Sequence, residues 1–370
     1  MTVLIPKTVK LRRILIRLWH VLRTMLFRTT ATMPTPAENA PPHSDISADL
    51  QMKKNFRTKR KSFMQGIEES EKFFVEHGRK YFEEKFPHLF MRLAFGLAGH
   101  GSECFGFDDD VSRDHDFSSG FAVWITDEDD EKYGFLLERA YNNLISEHLF
   151  CCSGKSSMLG ETETGICKIS SFYRRHIGLP RAPETWQEWM HIPEYAFAEA
   201  LNGKVFHDIF GKFSAIRKEI STGMPEDVRL KKIAARLAVI AQSGQYNFQR
   251  CHLHNEPGAA AFALTEFVQN SISLIFLLNG KFAPYYKWMF RAMKTLSCGG
   301  ELAAPLEFLL TDNAPYQEKQ AMIEDICSQL ILILSKQGLS EIRATYLEEH
   351  AFDIMKKIRN PHIRALHIME

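Results

Sequence analysis

The chain has 370 residues, of which 45% are hydrophobic, 25% charged and 12% aromatic. That length exceeds what one hydrophobic core usually serves, so two domains are expected, and the apolar content excludes a wholly disordered chain. A formal net charge of +1 gives no general attraction for nucleic acid or an acidic membrane, so no nucleic-acid partner is expected.

Residues 1–60 stand apart. The first 28 carry Lys7, Lys10, Arg12, Arg13, Arg17, Arg23 and Arg28 and no acid. A basic amphipathic helix, a targeting peptide and a disordered extension all fit that pattern. The extension is the reading adopted, followed by a linker at Thr35–Pro42. The apolar stretch Ile14–Phe27 is interrupted by Arg17 and Arg23, short of the roughly 18 residues a membrane span needs, so no stable membrane insertion is expected. Seven Cys without a CxxC pair indicate reduced thiols in a cytoplasmic protein. Cys251, His252 and His254 lack a second ligand pair at zinc spacing and read as packed or solvated residues.

From Arg60 to Phe86 the apolar residues Phe63, Ile67, Phe73, Phe74 and Tyr81 recur at helical spacing. Short strands are expected at 93–98 and at 116–126, where Phe121, Val123 and Ile125 alternate with Ala122 and Trp124. A helix at 133–148 and a strand at 165–170 complete a domain over 61–184. The remainder, 185–370, reads as helical, with a short hairpin near 204–215 turning at Gly211. Its helices are placed at 228–252, 257–279, 284–296, 316–337 and 340–359. The fold class is therefore α+β, a small α/β domain followed by a helical bundle.

The chemistry centres on Leu97-Ala98-Gly99-His100-Gly101-Ser102, then eleven residues, then Asp114-His115-Asp116. Glycine lets a ligand approach the backbone at the strand's end, and Ser102 with the free amides can hold phosphate oxygens. Asp114 and Asp116, two apart at a strand start, share one face. Paired carboxylates beside a phosphate-holding turn make a Mg²⁺ site for a nucleoside triphosphate. Gly154-Lys155-Ser156 imitates the end of a P-loop but has Leu149 where the first glycine belongs.

This Gly-Ser … Asp-x-Asp pattern resembles the signature of the DNA polymerase β-like nucleotidyltransferase superfamily, to which aminoglycoside adenylyltransferases belong. The string from Gly101 to Asp116 is similar to an uncharacterised bacterial branch of that superfamily, a family of unknown function. Gly244–Arg250 and Phe282–Trp288 extend the likeness over roughly residues 60–365. The resemblance implies a Mg²⁺-dependent enzyme that moves a nucleoside monophosphate, AMP from ATP, to a hydroxyl of a small-molecule acceptor. Asp114 and Asp116 would hold the metal, and Gly101 and Ser102 the outer phosphates. Lys287 would reach a phosphate and Tyr286 would stack on a base, unless this helix start simply packs into the core. Gln245 and Arg250 are nucleotide-binding candidates whose alternative is hydrogen bonding within the core. The superfamily's third carboxylate has no counterpart in the third strand. Asp208, taken as catalytic, Glu161 and Glu163 are the candidates, and each has a plain surface acid as its alternative. Without one, a protein adenylyltransferase or a nucleotide-binding module that does not turn over are the competing readings.

Overall fold

The computed structural model describes residues 66–109, 120–148 and 163–369. The basic extension, Gly154-Lys155-Ser156, Glu161, Asp114 and Asp116 lie outside the described residues.

Helix α1 (Gly66–Phe73) passes through a π turn (Phe74–Gly78) into α2 (Arg79–Lys85), and α3 (Pro87–Phe90) starts on its proline. The wider turn lets Phe74 and Phe82 both point to the sheet, where each packs against Phe95 at 4.9 and 5.4 Å. Strand β1 (Ala94–Leu97) is followed by a 3₁₀ turn (Glu103–Phe105), β2 (Ala122–Ile125), α4 (Asp127–His148) and β3 (Gly165–Lys168). The acidic run Asp127–Asp130 forms the first turn of α4, where carboxylates meet the positive end of the helix dipole. Asp129 there is buried against Arg92, 2.8 Å away, and accepts from Thr126 Oγ1.

After β3 come α5 (Ile169–Ile177), α6 (Trp186–His191), α7 (Glu194–Leu201) and β4 (Lys204–His207). The four strands form a mixed sheet in the order β3-β2-β1-β4. Strand β1 pairs antiparallel with β2 and β4, and β2 pairs parallel with β3. The alternation in β2 divides two cores. Phe121, Val123 and Ile125 face the layer of α1 to α4, while Ala122 and Trp124 face the larger core shared with the helical bundle.

The expected hairpin at 204–215 is corrected. Its first half is β4, but its partner is β1, and Phe213-Ser214-Ala215 lies inside helix α8 (Lys212–Thr222). Gly211, with φ +74°, is the cap preceding that helix. Phe213, Ile216 and Ile220 follow a helical period, and Phe213 stacks on Trp124 at 3.8 Å.

The bundle continues with α9 (Glu226–Ile240), a π segment (Ala241–Phe248), α10 (Gln249–Leu253), α11 (Pro257–Leu278), α12 (Tyr286–Met293), α13 (Ala303–Thr311), α14 (Tyr316–Lys336), α15 (Leu347–Lys357) and α16 (Pro361–Arg364). Helix α11 is long and apolar enough to cross a membrane, but most of it is buried as the centre of the bundle. Gly244 in the π segment admits Phe267 of α11, whose ring lies 2.2 Å from where a Cβ would stand. The fold is thus α+β, a small mixed sheet joined to a helical bundle, as the sequence indicates.

Candidate functional site

The strand directions gather one set of loops at one end of the sheet. Strand β1 ends there at Leu97, and the paired residues Ala122 of β2 and Lys204 of β4 begin there. Strand β3 also begins there, with Gly165 opposite Ala122. The Gly99–Ser102 turn therefore meets Glu163, just before β3, and Asn202, just before β4. Helix α5 starts at the far end of β3 and runs back. Nine helical residues span ~13 Å, the length of four strand residues, so Arg175 and His176 in its last turn return to the same end.

Each residue of the turn has a reason to be there. Asn202 clamps Gly99 from both sides: its Nδ2 donates to Gly99 O at 2.6 Å and its Oδ1 accepts from Gly99 N at 2.8 Å. Gly99 and Gly101 have φ of +117° and +110°, which side chains other than hydrogen rarely tolerate. Carboxylates fill the space a Cβ would need, Glu163 within 2.4 Å at Gly99 and Glu103 within 2.6 Å at Gly101. The glycines at this turn thus admit the chain's own acids. Ser102 precedes the 3₁₀ turn, its carbonyl accepts from Phe105 N and Phe107 N, and its hydroxyl makes no capping bond.

Next to the turn is a cluster of two histidines and two carboxylates. His100 Nδ1 lies 3.2 Å from Glu199 Oε2, and His176 Nδ1 lies 3.8 Å from the same oxygen. On the other side Glu163 accepts from His100 N at 3.1 Å and stands 3.7 Å from His176 Nε2 and 3.5 Å from Arg175 Nη1. The His176 side chain is fully buried, yet neither ring nitrogen has a hydrogen-bond partner among the described residues. The hydrogen bond to Glu199 raises the His100 pKa against the opposing effect of burial. Burial pushes the Glu199 carboxyl up, but His100 and His176 outweigh it and bring it to about 2. Glu199 is thus held as an anion.

Helix α12 packs onto the loop after the turn. Arg291 donates to Phe107 O and lies over the Phe107 ring, and Trp288 packs on that ring at 5.8 Å. Tyr285 meets Tyr195 of α7 at 6.0 Å and Tyr286 at 4.4 Å. Tyr286 is 62% exposed, and Lys287 lies 5.8 Å from the Trp288 ring. The start of α12 therefore borders the site.

Other expected residues are placed elsewhere. Asp208 follows β4 at the opposite end of the sheet, where its carboxylate accepts from Gly211 N and Ser214 N, each at 2.8 Å. Of the two described acids considered for a third carboxylate, Glu163 is the one beside the turn. Gln245 is tied into the bundle through Glu324, Thr345 O and Leu347 N. Arg250 lies 5.0 Å over the Tyr246 ring in the same region. His100, His176 and Glu199 were not among the expected site residues. They come from a loop and two helices, so no local spacing marks them.

A family model described as Domain of unknown function (DUF4037) matches residues 189–289. That span includes Glu199, Asp208, Gln245, Arg250, Tyr286 and Lys287, but not the Gly-Ser turn. No curated protein matches. Among solved structures, the chain is similar to a nucleotidyltransferase-like protein from Exiguobacterium sibiricum 255-15, with 10% identity over 78% of this chain and 81% of that one, at a TM-score of 0.34. At that level of similarity the functional reading rests on the site's own residues.

Proposed function

We propose that the protein binds a nucleoside triphosphate at the Gly99–Ser102 end of the sheet and transfers its nucleoside monophosphate, AMP from ATP, to a hydroxyl of a small molecule. One observation carries the reading. The Gly-Ser turn stands at the end of β1 where β2 begins, and the Asp-x-Asp sequence ends six residues before Ala122 of β2. The Gly-Ser turn thus ends one strand, and the Asp-x-Asp sequence precedes the strand that pairs antiparallel with it.

In this reading Ser102 and the Gly101 amide grip the outer phosphates, the Gly99 and His100 amides being taken by Asn202 and Glu163. Asn202 holds the turn rigid, so little reorganisation is needed on binding. The start of α12 offers Tyr286 as a stacking surface and Lys287 as a cation for a phosphate. The acceptor oxygen bonds to the α-phosphorus as the bond to the β-phosphate oxygen breaks. Pyrophosphate leaves, and the acceptor's hydroxyl proton passes to solvent.

The donors at the turn test the fit of Mg²⁺. Glu163 reaches the turn, but it is engaged by the His100 amide and faced by Arg175 and His176. Mg²⁺ prefers several oxygens, and Glu163 is already engaged by these groups, so it does not by itself make the ion's site. Asp114 and Asp116 would hold the ion, which when bound would neutralise charge on the phosphate oxygens.

A turnover experiment tests the reading. Protein is incubated with α-labelled ATP, Mg²⁺ and a panel of hydroxyl-bearing small molecules. Label on an acceptor with matching pyrophosphate release supports nucleotidyl transfer. Release of ADP or inorganic phosphate instead would refute it.

A further inference from the structure

We infer that His100, His176 and Glu199 form a binding site for a zinc-class transition-metal ion, separate from any Mg²⁺ that accompanies the nucleotide. One ligand atom from each residue lies within 4.8 Å of the other two. A bound ion with ligands at ~2.1 Å draws tetrahedral donors to a little over 3 Å apart, so His100 and Glu199 at 3.2 Å already stand at that separation. His176 stands 3.8 Å from the same oxygen, and with all three ligand atoms within 4.8 Å of one another the set closes by no more than about 1.5 Å to reach that separation. Two imidazoles and one carboxylate are a donor set suited to zinc, and Mg²⁺ prefers oxygen alone.

A second observation points to the ion. The His176 ring is fully buried and both of its nitrogens lack a hydrogen-bond partner among the described residues. Buried polar atoms left so are rare and costly. A metal on Nδ1 satisfies one nitrogen. The other, Nε2, then carries the proton and faces Glu163 at 3.7 Å. That carboxylate–histidine–metal sequence is how ligating histidines are commonly oriented. The Glu199 side chain is only 13% exposed, so the cation enters a partly desolvated site lined by a carboxylate.

Three protein ligands leave a fourth position open, as in zinc sites that hold water or an exchangeable ligand. His100 sits between Gly99 and Gly101, so an ion on its ring also anchors the phosphate-holding turn to α5 and α7. The site does not depend on the nucleotide-transfer reading, because its ligands are all outside the Asp-x-Asp segment.

Equilibrium dialysis of the chelator-stripped full chain against Zn²⁺, without nucleotide, tests the inference, with metal content read by elemental analysis. The expected result is one Zn²⁺ per chain, retained in a large excess of Mg²⁺. Cobalt substituted for zinc should give the visible absorption of a four-coordinate site. His100→Ala and Glu199→Gln should each weaken binding by at least about tenfold. His191→Ala, an exposed histidine bonded only to its own helix, should leave binding unchanged. Half-exposed His100 allows a substitution that keeps the fold, which circular dichroism verifies. Folded wild-type protein that retains no stoichiometric zinc would overturn the inference. So would zinc displaced by Mg²⁺, or equal affinity in the His100→Ala and His191→Ala variants.

Discussion

Asn202→Ala isolates the clamp on the Gly99 turn. The substitution removes two hydrogen bonds, of 2.6 and 2.8 Å, and leaves both the amide and the carbonyl of a buried glycine without their partner. An orphaned buried group costs about 1–3 kcal/mol, so two cost about 2–6 kcal/mol in a dry site. The neighbouring His100 side chain is half exposed, so water can reach part of the gap, and about 2–3 kcal/mol is expected. Residues Phe63–Glu370 form one compact unit, whose unfolding entropy is about 0.65 kcal/mol/K at typical per-residue values. The loss corresponds to a fall in Tm of about 3–5 °C. Differential scanning calorimetry reads the shift, and urea unfolding gives the free energy. The control is Asn270→Ala, which loses only one exposed bond within α11 and should stay within about 0.5 kcal/mol of wild type. If Asn202→Ala behaves like that control, the turn is not held by this clamp and its rigidity has another source.

Gly101→Ala should cost about 1–3 kcal/mol from its φ of +110° and displace the Glu103 carboxylate; thermal unfolding shows the first, and loss of triphosphate binding shows that Ser102 has moved. Trp124→Ala should cost about 3–5 kcal/mol in chemical denaturation, because it removes a buried ring stacked on Phe213. Burial lowers the pKa of His207, whose ring packs on Phe90 and whose Nε2 has no partner among the described residues. The unfolded chain then takes up a proton near pH 6.5 that the folded chain refuses, so stability should fall as pH drops below 6.5. His207→Phe should flatten that fall in Tm scans between pH 7.5 and 5.5. Gln245→Ala should lower stability by about 1–2 kcal/mol while leaving triphosphate affinity within twofold; a selective loss of affinity would return Gln245 to the nucleotide site.

Long periodic segments were the legible part of this sequence. The apolar face of Pro257–Leu278 and the alternation in Ala122–Ile125 each have one physical solution, a buried helix and a strand between two cores. The short segment after β4 was not legible, because Gly211 with flanking apolar residues fits a hairpin turn as well as a helix cap. The deciding contact is Asp208, whose carboxylate takes the Gly211 and Ser214 amides and so starts α8. At the site, the Gly99–Ser102 turn could be read from its glycines and serine. Of its supporting residues only Glu163 was singled out, and then as one of three acids. Glu163, His176, Glu199 and Asn202 converge through strand pairing and the return of α5, and nothing in their sequence spacing encodes that meeting.

The most direct test of nucleotide binding at this end of the sheet is titration calorimetry of ATP into the purified chain, with and without Mg²⁺. The Ser102→Ala and Asp114→Asn/Asp116→Asn variants run beside it. The account predicts saturable binding that needs Mg²⁺, weakens in Ser102→Ala and disappears in the double variant. Well-folded wild-type protein that binds no ATP, GTP, CTP or UTP, or a double variant that binds as wild type does, would contradict it.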